Sequence, residues 1–444
     1  MASSRVVLSG RGAAIVGGSV VALLLGLLTL NLLLLLLPTA VLALAAGELL
    51  LFDRATRGFG PERFRWQRLE NSAEVPLDTA GSMAIDLGFD GAGPVYAEVF
   101  DPQPESFEVV AGSPRLLSWW SPDAPIRLAY AYRPRERGRF RIGPTIVVAH
   151  DPLGFAFRMA KLENRWEVLV TPALSVEEAV AGWAATRPSP TDLTRRRVGT
   201  GSEFRSLREY LPTDDARRIA WRRSGLEKVY VREHEEEVHA DLLIVVDAGW
   251  EMRLGPPGGE AFEQAIAGAT VLAGRSLAGA DRVGLLVYSD RVEEFVPLRR
   301  GFEGARELTQ ALARAAICPR PFDFEGALHA AVERLSKPTP VVLLSTLRIR
   351  PTGTSIDVAV GDLRARGHRL VVVGPDPARL FPPPPEDLAE RAVAYVRAPL
   401  RADINRTAAR LRACGVPVTL YPAPDLRGAA DAILESVPLE LGVS

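Results

Sequence analysis

The chain has 444 residues, long enough for two or three domains each with its own core. Its formal net charge is −1, so overall charge points to neither nucleic acid nor acidic substrates. Its two cysteines, Cys318 and Cys414, stand in unrelated contexts, which excludes a disulfide framework and a cysteine-rich zinc site and suits a reducing compartment.

After residues 1–11, residues 12–52 contain a single ionisable side chain, Glu48. One membrane crossing needs about 20 residues, so this run is the length of two. It is also far longer than the ~7–15-residue core of a signal peptide. The turn is expected within residues 31–38, with the split near Asn31. Arg5 and Arg11 precede the run, and Arg54, Arg57, Arg63, Arg65 and Arg68 follow it. A two-pass hairpin keeps both positive flanks on the cytoplasmic side, which places the rest of the chain in the cytoplasm. The lipid bilayer is thus an expected partner.

Residues 53–69 read as a basic juxtamembrane linker. From 70 to 172, short apolar runs such as VYAEVF, IRLAYAY and WEVLVTP alternate with turn residues, the pattern of a small antiparallel β-sandwich. Within it, RPRERGRFRIGP carries five arginines, read as a solvated strand face or as a partner or headgroup surface. Residues 173–240 form a charged connecting segment. From 241 to 444, five apolar strand-length runs alternate with helical stretches, which predicts a doubly wound α/β domain. VEEFVPL, at 292–298, is expected to add an antiparallel edge strand.

Ligands of such sheets bind beyond the carboxyl ends of the strands. The first strand ends in Asp247, within DAGWE. Here the chain resembles the von Willebrand factor type A fold, in which Asp-x-Ser-x-Ser holds a divalent cation. The matching positions are Asp247, Gly249 and Glu251, so only the aspartate survives, and the region of the distant threonine reads Phe322–Asp323. The resemblance therefore implies a dismantled cation site. No cofactor is expected; an altered acidic set of Asp247, Glu251 and Asp323 is the alternative, since magnesium or manganese needs several placed oxygens.

In REYLPTDDARRIAW, Pro212 suits a turn, Thr213 or Asp214 can cap a helix, and the expected helix runs through Arg217, Ile219 and Trp221 to Gly225. Asp214 and Arg218 stand at i, i+4 and can pair. The same stretch resembles the signature of the bacterial and archaeal "domain of unknown function 58" family. Phe204, Arg208, Tyr210, Pro212, Asp214, Asp215, Arg217, Ile219, Trp221, Ser224, Arg232 and Glu233 match it, and Thr213 departs from the family's glycine. The order of hairpin, sandwich, signature and type A-like domain matches as well. The resemblance implies a partnership with MoxR-type AAA+ ATPases in assembly or maturation of client proteins, with the signature residues serving as a structural clamp or a partner surface.

Other readings have weaker support. GTGS at 199–202 lacks the Gly-Lys-Ser/Thr ending of a phosphate loop. None of the five histidines stands in a nucleophile motif, so no catalytic residue is assigned. The arginines are interleaved with acids and few aromatics, which argues against nucleic acid. An enzyme built on Asp247 and Glu251 remains the alternative, and an extracytoplasmic envelope protein would require the opposite topology.

Overall fold

The computed structural model describes residues 6–57, 59–70, 73–90, 94–121, 124–186, 196–199, 203–211, 219–221, 228–237, 241–255, 260–279, 281–348, 356–376 and 390–421. They fall into two compact units, 1–173 and 174–444.

The first unit opens with β1 (Val7–Leu8), followed by α1 (Gly10–Thr29) and α2 (Leu32–Ala55). Both helices are long and apolar enough to cross a membrane. Ser9 caps α1, accepting the Gly12 N–H at 3.0 Å. The turn is tight because Leu30 takes a left-handed conformation and Asn31 caps α2 through the Leu33 N–H. Gly26 permits this closure: a Cβ there would lie 2.8 Å from the Leu34 backbone. The hairpin therefore turns at the N-terminal edge of the expected window, and α2 continues through Pro38.

Eleven further strands build the sandwich: β2 (Phe64–Glu70), β3 (Glu74–Pro76), β4 (Gly81–Phe89), β5 (Val95–Phe100), β6 (Phe107–Gly112), β7 (Arg115–Trp120), β8 (Ile126–Pro134), β9 (Gly138–Ile142), β10 (Ile146–His150), β11 (Ala156–Lys161) and β12 (Trp166–Thr171). Sheets of order β1-β11-β10-β5-β7, β2-β4-β8-β6 and β3-β12-β9 result. On β4 and β5 buried and less buried residues alternate, so one face of each packs on the shared core. The domain starts earlier than its strand pattern suggests. Phe59 and Phe64, inside the expected linker, are buried and pack edge-to-face at 5.1 Å.

A buried polar knot closes the opposite end of this core. Asp101 accepts Arg68 through both carboxylate oxygens, at 2.8 and 3.2 Å, together with the Tyr130 hydroxyl at 2.6 Å and the Thr145 hydroxyl at 2.9 Å. Asn164 holds Thr145 in turn. Four donors on one carboxylate satisfy a charge that burial would otherwise penalise heavily.

The second unit opens with α3 (Val176–Thr186), inside the expected connecting segment. Then come β13 (Arg196–Gly199), β14 (Glu203–Glu209) and β15 (Tyr230–Glu237), an antiparallel sheet of order β13-β15-β14. The remaining elements are β16 (Asp241–Asp247), α4 (Ala261–Ala278), β17 (Arg282–Tyr288), β18 (Val292–Arg299), α5 (Gly301–Arg314), α6 (Phe324–Arg334), β19 (Pro340–Leu344), α7 (Ile356–Ala365), β20 (Arg369–Pro375), α8 (Glu390–Ala413) and β21 (Val418–Tyr421). They form a six-stranded sheet of order β18-β17-β16-β19-β20-β21. Every pairing is parallel except that of β18, the antiparallel edge strand. β16, β17 and β19 are buried almost throughout, as near-continuous apolar runs require, with one cluster of core residues on each face. α3 belongs to the first of these layers. Its Val176 N–H donates to the Thr309 hydroxyl at 3.0 Å, and Ala179 packs so closely on Gly274 that a Cβ there would lie 2.3 Å away.

Candidate functional site

Two places hold the residues singled out above. The first is the carboxyl edge of the six-stranded sheet. Asp247 ends β16 with only 1% of its surface exposed. Its Oδ1 accepts the Gly249 N–H at 2.7 Å, and its Oδ2 accepts the Ser345 hydroxyl at 2.6 Å. Burial pushes its pKa up to about 7, with the charge of Glu251 adding to the rise and the two hydrogen bonds opposing it. Ser345, just beyond β19, also accepts the Leu347 N–H at 3.1 Å. That bond closes a turn in which Leu347 is buried and left-handed, with φ +59°.

Of the other acidic residues, Asp323 is committed to local structure. Asp323 caps α6, accepting the Gly326 N–H at 3.1 Å, while its own N–H donates to the Ser289 carbonyl. Glu251 is buried in the short 3₁₀ turn Trp250–Arg253. Gly249 offers no side-chain oxygen, and its surroundings leave no room for one. A Cβ there would lie 2.7 Å from the Phe322 nitrogen and 2.9 Å from its Cβ. Phe322, itself buried, occupies the space beside Gly249. Among the described residues no three His, Cys, Asp or Glu side chains gather as a metal site would require. Gly249 supplies no side-chain oxygen and Asp323 is held as a helix cap, so these positions do not reproduce the Asp-x-Ser-x-Ser donor set. Ser345 is the member of this edge whose role the sequence reading did not assign; the one available signal was a polar Ser-Thr pair directly after an apolar strand.

The second place is the signature. Phe204 and Arg208 lie on β14 and Arg232 on β15, with Phe204 opposite His234, Leu207 opposite Arg232, and Arg208 opposite Val231. Tyr210 continues the ladder, its N–H donating to the Val229 carbonyl at 2.8 Å. Pro212, Asp214, Asp215, Arg217, Arg218 and Ser224 lie outside the described residues. The expected helix does not run through Ile219 and Trp221. Ile219 instead forms an antiparallel bridge with Val231, and the Ala220 N–H donates to the Tyr230 carbonyl at 2.8 Å. β13 covers β15 from His234 onward and leaves the edge at Tyr230–Val231 open; Ile219–Ala220 fills it. A long-range ladder thus overrides a local helix signal, as happens when extended pairing buries side chains: Val231 and Ala220 are both 3% exposed. Two large apolar residues of the same segment stay in solvent, Trp221 at 71% and Leu211 at 54% exposure.

The protein is therefore one with two long apolar N-terminal helices, a β-sandwich, and an α/β unit introduced by a small antiparallel sheet. Residues 206–348 match the family described as "Protein of unknown function DUF58". Among solved structures, it is similar to the conserved hypothetical protein BatB from Bacteroides thetaiotaomicron at 10% identity, over 44% of this chain and 98% of that one, with a TM-score of 0.28. It is also similar to the CARDB domain of PF1109 from Pyrococcus furiosus. The solution structure of that domain matches at 10% identity, over 24% and 94% of the two chains, with a TM-score of 0.16. Its crystal structure with di-metal ions matches at 11% identity, over 24% and 86%, with a TM-score of 0.17. No curated protein matches the chain.

Proposed function

We propose that this protein is a membrane-anchored, cytoplasm-facing adaptor that works with a MoxR-type AAA+ ATPase in assembly or maturation of client proteins. In this reading the six-stranded sheet is a von Willebrand factor type A-like domain whose cation site has been replaced by packing. The observation that carries it is the exposure of Trp221 and Leu211 inside the family-matched segment. A solvent-exposed tryptophan is a characteristic anchor of protein interfaces. The cytoplasmic orientation rests on the arginines flanking both ends of the apolar run.

The test is purification from native membranes in mild detergent, with and without ATP, followed by mass spectrometry. The expected result is an ATPase whose association depends on nucleotide and weakens in Trp221→Ala. Recovery of the protein alone in both conditions would reject the reading. A second reading, an acidic binding or catalytic site at Asp247 and Glu251, draws on the raised Asp247 pKa. It requires stoichiometric divalent metal in the purified protein, lost in Asp247→Ala.

A further inference from the structure

The two apolar helices are tied to one end of the sandwich without slack. Leu8 pairs with Ala156 on β11, the Ser9 N–H donates to the Phe155 carbonyl at 2.8 Å, and the Ser9 hydroxyl donates to the Gly154 carbonyl at 2.5 Å. Gly12 lies so close to this loop that a Cβ would stand 2.2 Å from the Phe155 oxygen. At the end of α2, Arg158 donates to the Thr56 carbonyl at 2.5 Å and to Asp53 at 2.6 Å. Beneath the helices the core is sealed by aromatic rings, with Phe64 packed on Phe59, Phe89 and Trp120.

The sheet register carries this end outward. Val7 lies opposite Phe157, Phe157 opposite His150, His150 opposite Tyr96, and Tyr96 opposite Trp119. Trp119 therefore shares a transverse row with the strand that enters α1, and that row is two residues from Ser9, about 7 Å at ~3.3 Å per residue. The polar layer of a bilayer, about 40–45 Å of total thickness less ~30 Å of hydrocarbon, leaves roughly 5–8 Å on each side. The two lengths agree. At this end Trp119 is 59% exposed and packs at a tilt on Tyr96, Leu153 is 54% exposed in the loop that holds Ser9, and Leu8 is 44% exposed. Arg11, Arg54 and Arg57 are exposed around them.

We infer that the hairpin end of the sandwich is seated in the lipid surface, with Leu8, Trp119 and Leu153 in the interfacial layer and Arg11, Arg54 and Arg57 among anionic headgroups. The inference rests on the helices spanning the bilayer. Tryptophan and tyrosine favour that layer because an apolar ring and a polar edge are both accommodated there. The basic side chains add attraction to anionic lipid near the surface. The bilayer is the occupant because both helices enter it beside these residues, so no separate partner has to be recruited.

The test uses the full chain with Cys318 and Cys414 replaced by serine, carrying one nitroxide at Trp119→Cys, Leu153→Cys, Leu50→Cys or Glu163→Cys. Each is reconstituted into phosphatidylcholine–phosphatidylglycerol vesicles and probed for collision with oxygen and with a water-soluble nickel chelate. Leu50 is an exposed position on α2, and Glu163 is exposed at the far end of the sandwich, between β11 and β12. Positions 119 and 153 are expected to show an oxygen-to-nickel ratio severalfold above that of 163, approaching that of 50. Ratios at 119 and 153 equal to that at 163, with 50 immersed, overturn the proposal and leave the spanning reading intact. If 50 is also aqueous, the spanning reading fails and the proposal falls with it. Should the Trp119 variant not reconstitute, Leu153 alone decides.

Discussion

The Ser345 hydroxyl reaches Oδ2 of Asp247 at 2.6 Å, joining the ends of two adjacent parallel strands. The same carboxylate receives the Gly249 N–H, yet its pKa stands at about 7 against an ordinary 3.8, because burial outweighs both bonds. The folded protein therefore holds a proton between about pH 4 and pH 7 that the unfolded chain releases. Stability from this group is full below about pH 4, falls as pH rises through that window, and is flat above it. Asp247→Asn should abolish the slope and raise protection at pH 8 by on the order of 1–4 kcal/mol. Hydrogen-exchange mass spectrometry on β16 and β19 peptides of the full chain measures it. Lower protection in the variant, with magnesium protecting only the wild type, would instead favour the metal-binding reading.

Gly249→Ser tests the crowding at this position. A side chain there meets Phe322 backbone at 2.7 Å, not a flexible tip, so something in the turn must move. Overpacking of this kind costs about 1–3 kcal/mol. The variant should lose protection in β16 and gain no magnesium affinity by calorimetry. Tight magnesium binding by it would show that the site is one residue from restoration.

His368 gives the opposite pH dependence. It is 3% exposed, and its Nδ1 accepts the buried Thr339 N–H at 3.1 Å, which needs the neutral ring. Burial holds its pKa below the usual 6.5, and the charge of Arg366 adds to the effect. The unfolded state thus takes up the proton first, so this contribution is intact above about pH 6.5 and is lost as pH falls below it. Exchange in β20 peptides should rise on acidification in the wild type. His368→Ala should raise it at every pH, by about 1–3 kcal/mol, because the Thr339 N–H loses its acceptor.

What the sequence made legible was whatever one local signal decides. A 41-residue run with one ionisable side chain specifies two long apolar helices, and apolar runs between helical stretches specify the α/β sheet and its antiparallel edge. That position 249 lacks a hydroxyl was visible in the sequence, but the crowding of Gly249 by Phe322 was not, since the two meet only through the fold. Ile219 was misread for the same reason: its partner Val231 lies across a segment whose acid-rich start favours a helix. Two-residue β1 carries no strand signal at all and exists because β11 offers it an edge.

Asp101 supplies the last test, of the polar knot in the sandwich. Its side chain is fully buried, that of Arg68 is 5% exposed, and four hydrogen bonds converge on its two oxygens from β2, β8 and the turn before β10. Removing one member of a buried ion pair costs far more than the pair contributes, because the survivor keeps its charge without water. Asp101→Ala should therefore lower sandwich stability by about 3–5 kcal/mol, with accelerated exchange in β2, β8 and β10. Arg68→Met with Asp101→Leu removes both charges together and should recover most of that loss. If the double substitution is as damaging as Asp101→Ala alone, the knot acts through the geometry of Tyr130 and Thr145 and not through charge, and the same peptides of β8 and β10 will report it.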